Sequence, residues 1–316
     1  MNRFFVFLCI LISIGFLQAQ EDRTTTIIPL YATPTYEQLI RSTEFSFAIF
    51  SDNEGDSPSS MKSFKHMVNW VEKDKDAFII GLGDHVKKKG KDEFITFLHK
   101  KAWWRDHFYP CAADGENQYY GASQADWGAG RAFFKEINLK QKSDVFLRDN
   151  GVEYYARIPV KDWTVHLIML HYPDQPEQDS IAFREDSKEY LINTINSINK
   201  GKHDIIIAGA HSRYGFWIDQ FDSLQKSIVM EKCDLVLSGT THFFSRKDVP
   251  GYDEKSALVL NTGSITRPLG YCPPGYVHVS VLQDGMTMAV QYVDASKGKQ
   301  ILQAGEYVIM KSLRNK

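Results

Sequence analysis

Cysteine is scarce in this chain of 316 residues, and none of its four cysteines stands in a C-x-x-C pair. Three of them, Cys111, Cys233 and Cys272, lie beyond the N-terminal segment, too few for the disulfide framework of a small secreted domain. One bridge could form among these three, and without a C-x-x-C pair the sequence does not predict a zinc knuckle built on cysteines. A formal net charge of -2 gives no specific signal for nucleic-acid binding.

Long apolar runs are also missing, except at the N-terminus. The segment MNRFFVFLCILISIGFLQAQED carries Arg3, an apolar run and then Leu17-Gln18-Ala19. This layout predicts a secretory signal over residues 1–19 and therefore a secreted or periplasmic protein. The run is too short and too poorly flanked for a membrane span, so we expect no stable span after the signal is removed.

Internal repeats and low-complexity linkers are absent as well. Residues 20–44 are polar and rich in threonine, which predicts an extended lead-in. With 43% hydrophobic and 24% charged residues, the full chain has an ordinary globular composition. We expect residues 45–316 to form a single domain.

Short apolar runs alternate with amphipathic segments along this domain. Predicted strands are Phe45–Ser51, Ala77–Leu82, Thr164–Leu170, Asp204–Ala210, Leu235–Ser238, Ala257–Asn261, Tyr276–Leu282 and Thr287–Val293. Predicted helices are Met61–Lys73, Asp92–Lys101, Gly128–Ile137, Asp186–Asn199 and Ile218–Lys232. Apolar strands separated by helices indicate a layered α/β domain, with a β-rich tail from about residue 257 completing a second sheet.

Polar side chains follow five successive apolar segments. They are Asp52 and Glu54; Asp84, with His85 beside it; Glu116 and Asn117; His211, with Arg213 nearby; and His242. Any one of them alone is commonly a helix cap or a turn former, but independent caps need not fall on one sheet edge. Carboxylates mixed with imidazoles suit zinc, manganese or iron better than calcium. A carboxylate such as Asp84 could also bridge two ions.

The order of these residues resembles the calcineurin-like metallophosphoesterases over roughly residues 45 to 283. That family carries the motifs D-x-H, G-D, G-N-H-[DE], a lone H and G-H-x-H. The corresponding stretches here are IFSDNE, IIGLGDHV and DLVLSGTTH, followed by NTGSI. The resemblance implies a layered α-β-β-α sandwich of two mixed sheets flanked by helices. It also implies hydrolysis of phosphoric esters with the help of divalent metal.

Four positions match the family's ligands directly. Asp52 stands at the first aspartate and Asp84 at the bridging aspartate; His211 and His242 match the lone histidine and the last histidine. The chain departs from the pattern with Glu54 in place of the D-x-H histidine and Thr240 in place of the first G-H-x-H histidine.

The G-N-H block reads GENQ, from Gly115 to Gln118. Without a gap, Glu116 is the metal ligand and Asn117 faces substrate. With a shift of one residue, Asn117 becomes the ligand instead. Both alignments remain open at the level of sequence.

The resemblance implies two metal positions of unequal quality. The first would be held by Asp52, Glu54, Asp84 and His242, a carboxylate-rich set that favours manganese or magnesium. The second would have Asp84, His211 and either Glu116 or Asn117, while Thr240 is a poor ligand. The implied cofactor is thus one or two divalent ions of manganese, iron, zinc or magnesium.

The family's substrate-facing histidine has no counterpart in this chain. Asn117 could donate a hydrogen bond to the reacting group but could not supply a proton near neutral pH. His171, or alternatively His85, could replace it, and Arg213 could hold an anion. We therefore name Asn117, His171 and Arg213 as candidate catalytic residues.

The leading hypothesis from sequence is an exported, metal-dependent hydrolase that uses a metal-activated water. Its substrate would be a small-molecule or polymer ester. The negative pocket favours a diester or a weakly charged ester over a monoester. The alternative is a catalytically impaired relative that binds an anionic ligand or a partner.

Overall fold

A computed structural model describes residues 42–53, 58–86, 93–113, 115–116, 128–171, 184–212, 216–253, 255–266, 273–296 and 308–313. The signal segment and almost all of the lead-in lie outside these ranges, as do Cys272 and the candidate site residues Glu54, Asn117 and Arg213. What the sequence predicts for those positions stays a prediction.

Strands and helices alternate through most of the described chain. The strands are β1 (Thr43–Phe50), β2 (Ile79–Leu82), β3 (Phe108–Cys111), β4 (Val145–Leu147), β5 (Tyr154–Val160), β6 (Trp163–Leu170), β7 (Asp204–His211), β8 (Leu235–Gly239), β9 (Phe244–Lys247), β10 (Leu258–Thr262), β11 (Gly275–Leu282), β12 (Thr287–Asp294) and β13 (Val308–Ser312). The helices are α1 (Pro58–Asp74), α2 (Glu93–Lys100), α3 (Ala102–His107), α4 (Gly128–Glu136), α5 (Glu185–Ser197) and α6 (Ser223–Lys232). Leu139–Gln141 and Trp217–Gln220 form 3₁₀ turns.

The strands form two mixed sheets. The first has the order β13-β12-β11-β1-β2-β3, in which β1, β2 and β3 are parallel to one another. The second has the order β4-β5-β6-β7-β8-β10-β9, in which β6, β7, β8 and β10 are parallel. Each sheet therefore has a central parallel group, and the carboxyl ends of parallel strands are where functional loops gather.

Two apolar clusters divide the molecule into layers. The larger joins inward-facing residues of both sheets, such as Ile49 and Leu237, and includes side chains of α1 such as Phe64. The smaller joins the outer face of the second sheet to α5 and α6, for example Ile206 to Leu191 and Val229. This arrangement confirms the predicted α-β-β-α sandwich with two mixed sheets.

The tail of the chain differs from the sequence expectation. Among the strands described in this tail, β10 joins the second sheet, whereas β11, β12 and β13 extend the first sheet beyond β1. Strand β11 runs antiparallel to β1, with Val277 opposite Ile49 and Val279 opposite Phe47. This pairing occupies the edge of β1 that β2 leaves open and so satisfies its backbone hydrogen bonds.

The prediction of a single helix over Ile218–Lys232 is wrong for the first residues of that range. Residues Trp217–Gln220 form a 3₁₀ turn, and α6 begins only at Ser223. The break is at Asp222, whose carboxylate accepts the backbone N–H of Gln225 while the Gln225 side chain accepts the N–H of Asp222. This reciprocal capping box fixes the start of the helix.

Neither of the two cysteines that the structure describes, Cys111 and Cys233, forms a disulfide, and both are buried. Over the same part of the chain, the helices are too short or too polar to cross a membrane.

Candidate metal centre

Three side chains converge where the parallel strands of the two sheets end. Asp52 follows β1 by two residues, Asp84 follows β2 by two residues, and His211 is the last residue of β7. Their potential ligand atoms all lie within 4.8 Å of one another, and all three residues are buried. Two strands of the first sheet and one of the second therefore supply a single cluster.

Asp52 is held at almost every polar atom. Its N–H donates to the carbonyl of Gly83 (3.1 Å), and Oδ2 lies 2.5 Å from Ser51 Oγ and 3.2 Å from the backbone nitrogen of Thr240. Burial raises its pKa, but the hydrogen bond and charge of His242, with contributions from His211 and Ser51, outweigh burial and lower the pKa overall. The fully buried carboxylate is therefore ionised.

Asp84 is fixed by the loop that follows β3. Its Oδ1 accepts the N–H of Gly115 at 2.7 Å, and its Oδ2 lies 3.7 Å from His211 Nε2. A Cβ at position 115 would stand 2.7 Å from Asp84 Oδ1. Only glycine allows the backbone to approach the carboxylate this closely.

His211 has the hydrogen-bond pattern of a metal-binding histidine. Its Nδ1 lies 2.7 Å from the carbonyl oxygen of Leu82, so this nitrogen carries the proton. Nε2 then presents a lone pair towards the Asp84 carboxylate. A lone pair facing an anion is stabilised by a cation between them, and a backbone carbonyl on the far nitrogen is a common support for metal ligands. The donor set thus fits a divalent ion.

Four residues of this site, two of them in the loop after β8, have unusual backbone conformations. Thr240 has φ 99° and His242 has φ 58°; Asp52 and Asp84 each have φ 52°. These are four of the seven non-glycine residues with positive φ among those described. Such conformations cost energy and gather at functional sites, because the surrounding structure must hold them. Thr240 contributes a backbone N–H to Asp52, the role described above.

Glu116 is brought close to Asp84 but is engaged with backbone. Its Oε1 accepts the N–H of His85 at 2.7 Å, and its Oε2 accepts the N–H of Ala113 at 2.7 Å. Burial and the Asp84 carboxylate raise its pKa to about 8, while these backbone donors act to lower it. The two carboxylate oxygens of Glu116 thus link the loop after β2 to the loop after β3. The role of Glu116 as a metal ligand stays a prediction.

The two histidines considered as replacements for the substrate-facing residue are enclosed. His171 is 2% exposed, its Nδ1 lies 3.0 Å from the carbonyl oxygen of Ala112, and burial lowers its pKa to about 4. His171 is therefore neutral at pH 7. His85 stacks on Phe94 and Phe133, meets Phe50 edge-on, and has a pKa lowered to about 3 by burial.

Sequence reasoning missed several polar residues beside Asp52. Ser264 and Thr266 donate to its carbonyl oxygen at 3.0 and 2.8 Å. Asn53 is fully buried, and within the described chain neither atom of its amide has a hydrogen-bond partner. The NTGSI segment was the one available signal for Ser264, but its likeness to the family does not reveal a contact across the two sheets.

The comparison with solved structures gives matches that agree on the fold. Neither protein-family models nor curated protein sequences give a match. Among solved structures, a dimetal phosphatase from Danio rerio matches with a TM-score of 0.52 and 10% identity, covering 86% of this chain and 100% of the other. GAP50, described as the anchor in the inner membrane complex of Plasmodium, matches with a TM-score of 0.52 and 13% identity, covering 86% and 90%. These likenesses show the fold, which is the one that the resemblance to the calcineurin-like metallophosphoesterases implies.

Proposed function

We propose that this protein is a metal-dependent phosphoesterase. The observation that carries the proposal is the buried cluster of Asp52, Asp84 and His211, with His242 Nε2 3.1 Å from Asp52 Oδ1. These four residues would hold the metal. A divalent ion in such a site lowers the pKa of bound water and offsets negative charge that develops on a phosphoryl oxygen.

The ligand chemistry favours manganese, iron, zinc or magnesium, as one or two ions. Two carboxylates supply hard oxygen ligands and two imidazoles supply nitrogen ligands, a mixture that these ions accept. Glu54 would add a further carboxylate to the first ion. The second ion would depend on Asp84 and His211 with Glu116 or Asn117.

The chain's own residues prepare the site in advance of any substrate. Asp52 and Asp84 are oriented by backbone N–H donors, so little reorganisation is needed when charge develops nearby. His171 is neutral at pH 7 and would act through a hydrogen bond rather than as an imidazolium acid. Asn117 would donate a hydrogen bond to the reacting group, and Arg213 would hold an anionic oxygen.

We further propose a diester or weakly charged ester as substrate. The buried carboxylates of Asp52 and Asp84 make this edge acidic, and Glu54 would add a third carboxylate. A phosphate monoester carries about two negative charges near neutral pH, whereas a diester carries one. Electrostatic repulsion should therefore penalise the monoester more. The N-terminal segment supports export, which N-terminal sequencing of protein recovered from cell fractions would test.

The decisive experiment combines metal content with turnover. Purified protein would be titrated with Mn²⁺ by calorimetry and assayed on bis(p-nitrophenyl) phosphate and p-nitrophenyl phosphate. We expect metal binding and faster hydrolysis of the diester, both lost in Asp84→Asn and retained in Asp106→Asn, whose side chain is 57% exposed and lies in an ion pair with Arg105. Protein that binds none of the four divalent metals and turns over neither ester would refute the proposal.

A second candidate is a protein of this fold that binds an anionic ligand or a partner without turnover. Two observations favour it: backbone N–H groups engage both oxygens of Glu116, and Thr240 stands where the family has a histidine ligand. The similar structure named as an anchor gives this candidate further support. Tight phosphate binding without hydrolysis, unchanged by Asp84→Asn, would favour it over the phosphoesterase.

A further inference from the structure

The segment after β10 reaches across the molecule to the end of β1. The N–H of Ile265 donates to the carbonyl of Ser51 at 3.2 Å, and Ser51 Oγ lies 2.5 Å from the carbonyl oxygen of Gly263. Since β10 belongs to the second sheet and β1 to the first, these contacts join the two sheets beside the candidate metal centre. We call residues 263–266, which follow β10, the strap.

The strap also holds the backbone of Asp52. Ser264 Oγ donates to the Asp52 carbonyl at 3.0 Å, and Thr266 Oγ1 donates to the same oxygen at 2.8 Å. The N–H of Thr266 in turn donates to Ser264 Oγ at 3.2 Å, which orients that hydroxyl. Two O–H donors engage both lone pairs of one carbonyl, an arrangement that fixes the peptide plane after Asp52.

That peptide plane matters because Asp52 has φ 52°. An aspartate tolerates this left-handed conformation, but only at a cost that surrounding contacts must offset. The hydroxyl bonds of Ser264 and Thr266 hold the Asp52 carbonyl group in the orientation that it has in this conformation. With the backbone fixed and Oδ2 engaged by Ser51 and Thr240, Oδ1 remains towards His242.

We propose that Ser264 and Thr266 are positioning residues that set the metal affinity of the site through Asp52. The inference rests on the proposed metal-dependent function and deepens it. Both hydroxyls bond to the backbone carbonyl of Asp52 rather than to its carboxylate. They act by holding one ligand in the orientation that binding requires, as outer-shell groups do at other metal sites.

The test is Mn²⁺ affinity by calorimetry on the full chain, alongside the melting temperature of the metal-free protein. Ser264→Ala, Thr266→Val and the double variant remove the hydroxyls, whereas Thr266→Ser keeps the donor. Ser256→Ala is the matched control, since Ser256 is buried just before the opposite end of β10 and bonds to Asp253. The double variant should lose affinity by about 10- to 100-fold. Thr266→Ser and Ser256→Ala should keep wild-type affinity.

Three results would overturn the inference. If the wild type binds Mn²⁺ and the folded double variant binds it equally well, the positioning role fails while the proposed function stands. The same holds if Thr266→Ser is as weak as Thr266→Val, because then the hydroxyl is irrelevant. If the wild type binds no Mn²⁺, both the metal-dependent function and the positioning role are overturned. Should the double variant not fold, the single variants decide by the same criteria.

Discussion

The imidazole Nε2 of His242 lies 3.1 Å from Oδ1 of Asp52, between a loop of the second sheet and a strand end of the first. Asp52 is fully buried, whereas the His242 side chain keeps 20% of its surface exposed. Asp52 therefore lies in the interior of the cluster, and His242 lies where the cluster reaches the protein surface. His242 also lowers the pKa of Asp52 despite burial.

Removal of this imidazole should weaken metal binding. His242→Gln takes away a nitrogen ligand and leaves Oδ1 of the buried Asp52 carboxylate without the imidazole that lies 3.1 Å from it. We expect Mn²⁺ affinity to fall at least about tenfold, measured by calorimetry. His99→Gln is the control, because that histidine is 52% exposed in a surface ion pair with Glu136. Equal affinity of His242→Gln and wild type would show that His242 is not a ligand.

Placing a methyl group at position 115 should disturb Asp84. In Gly115→Ala, the new Cβ would meet Asp84 Oδ1 and the carbonyl oxygen of Val86, each 2.7 Å away. Overpacking of this kind typically costs about 1–3 kcal/mol, and here it also displaces a candidate ligand. We expect lower unfolding free energy in urea together with weaker Mn²⁺ binding.

Gly251→Ala separates these two effects. Its φ is +85°, but a Cβ there would meet nothing within 4 Å. This variant should lose some stability through backbone strain and keep its metal affinity. A loss of affinity in both variants would mean that general destabilisation, rather than the contact with Asp84, is responsible.

Stability should depend on pH through the buried pair of His278 and Asp76. His278 Nε2 lies 2.9 Å from Asp76 Oδ1, and both residues are buried. Burial lowers the pKa of His278, but the charge and hydrogen bond of Asp76, with the charge of Asp74, raise it overall above its ordinary value of 6.5. The imidazolium thus stabilises the folded state fully below about pH 6.5, and this stabilisation is lost as pH rises through the higher pKa of the folded protein.

Urea unfolding between pH 6 and 9 measures this effect. Wild-type stability should decline across the interval, and His278→Gln should show a smaller decline because glutamine does not titrate. An identical slope in the two proteins would assign the pH dependence to other groups.

Truncation of an aromatic side chain behind the metal centre should be severe. Phe50 is fully buried, two residues before Asp52, and its ring lies 5.7 Å from those of Phe64 and Phe108. Phe50→Ala would leave a cavity in the largest cluster, at a cost of about 3–5 kcal/mol. Urea unfolding of the metal-free protein would measure it. A change below about 1 kcal/mol would mean that the aromatic cluster collapses around the missing ring.

The fold class was predictable because it depends on local patterns. Buried strands such as Thr164–Leu170 and Asp204–Ala210 are continuous apolar runs between amphipathic helices, and β6 and β7 lie where these runs are. The sheet to which the tail belongs was not predicted correctly. The apolar alternation in Tyr276–Leu282 indicates a strand, but it does not indicate which strand pairs with it. The pairing of β11 with β1 joins residues more than 200 positions apart.

Several features of the site could not be read from sequence. Glu116 and Thr240 match positions in the family pattern, but the backbone hydrogen bonds they form depend on how loops from different strands meet. His85 adjoins Asp84 in sequence yet lies in an aromatic enclosure. Neighbouring residues after a strand can point to opposite sides of a layer, so adjacency in sequence does not predict a shared role.

The sequence by itself determined which residues end the parallel strands, and therefore which chemistry is available at one edge: carboxylates from the first sheet and imidazoles from the second. Strand order, loop approach and the left-handed conformations of Asp52, Asp84 and His242 were decided only by the tertiary structure. The physical reason is that hydrophobic periodicity acts locally along the chain, whereas the contacts of the strap with Asp52 join segments that only the packing of two sheets brings together.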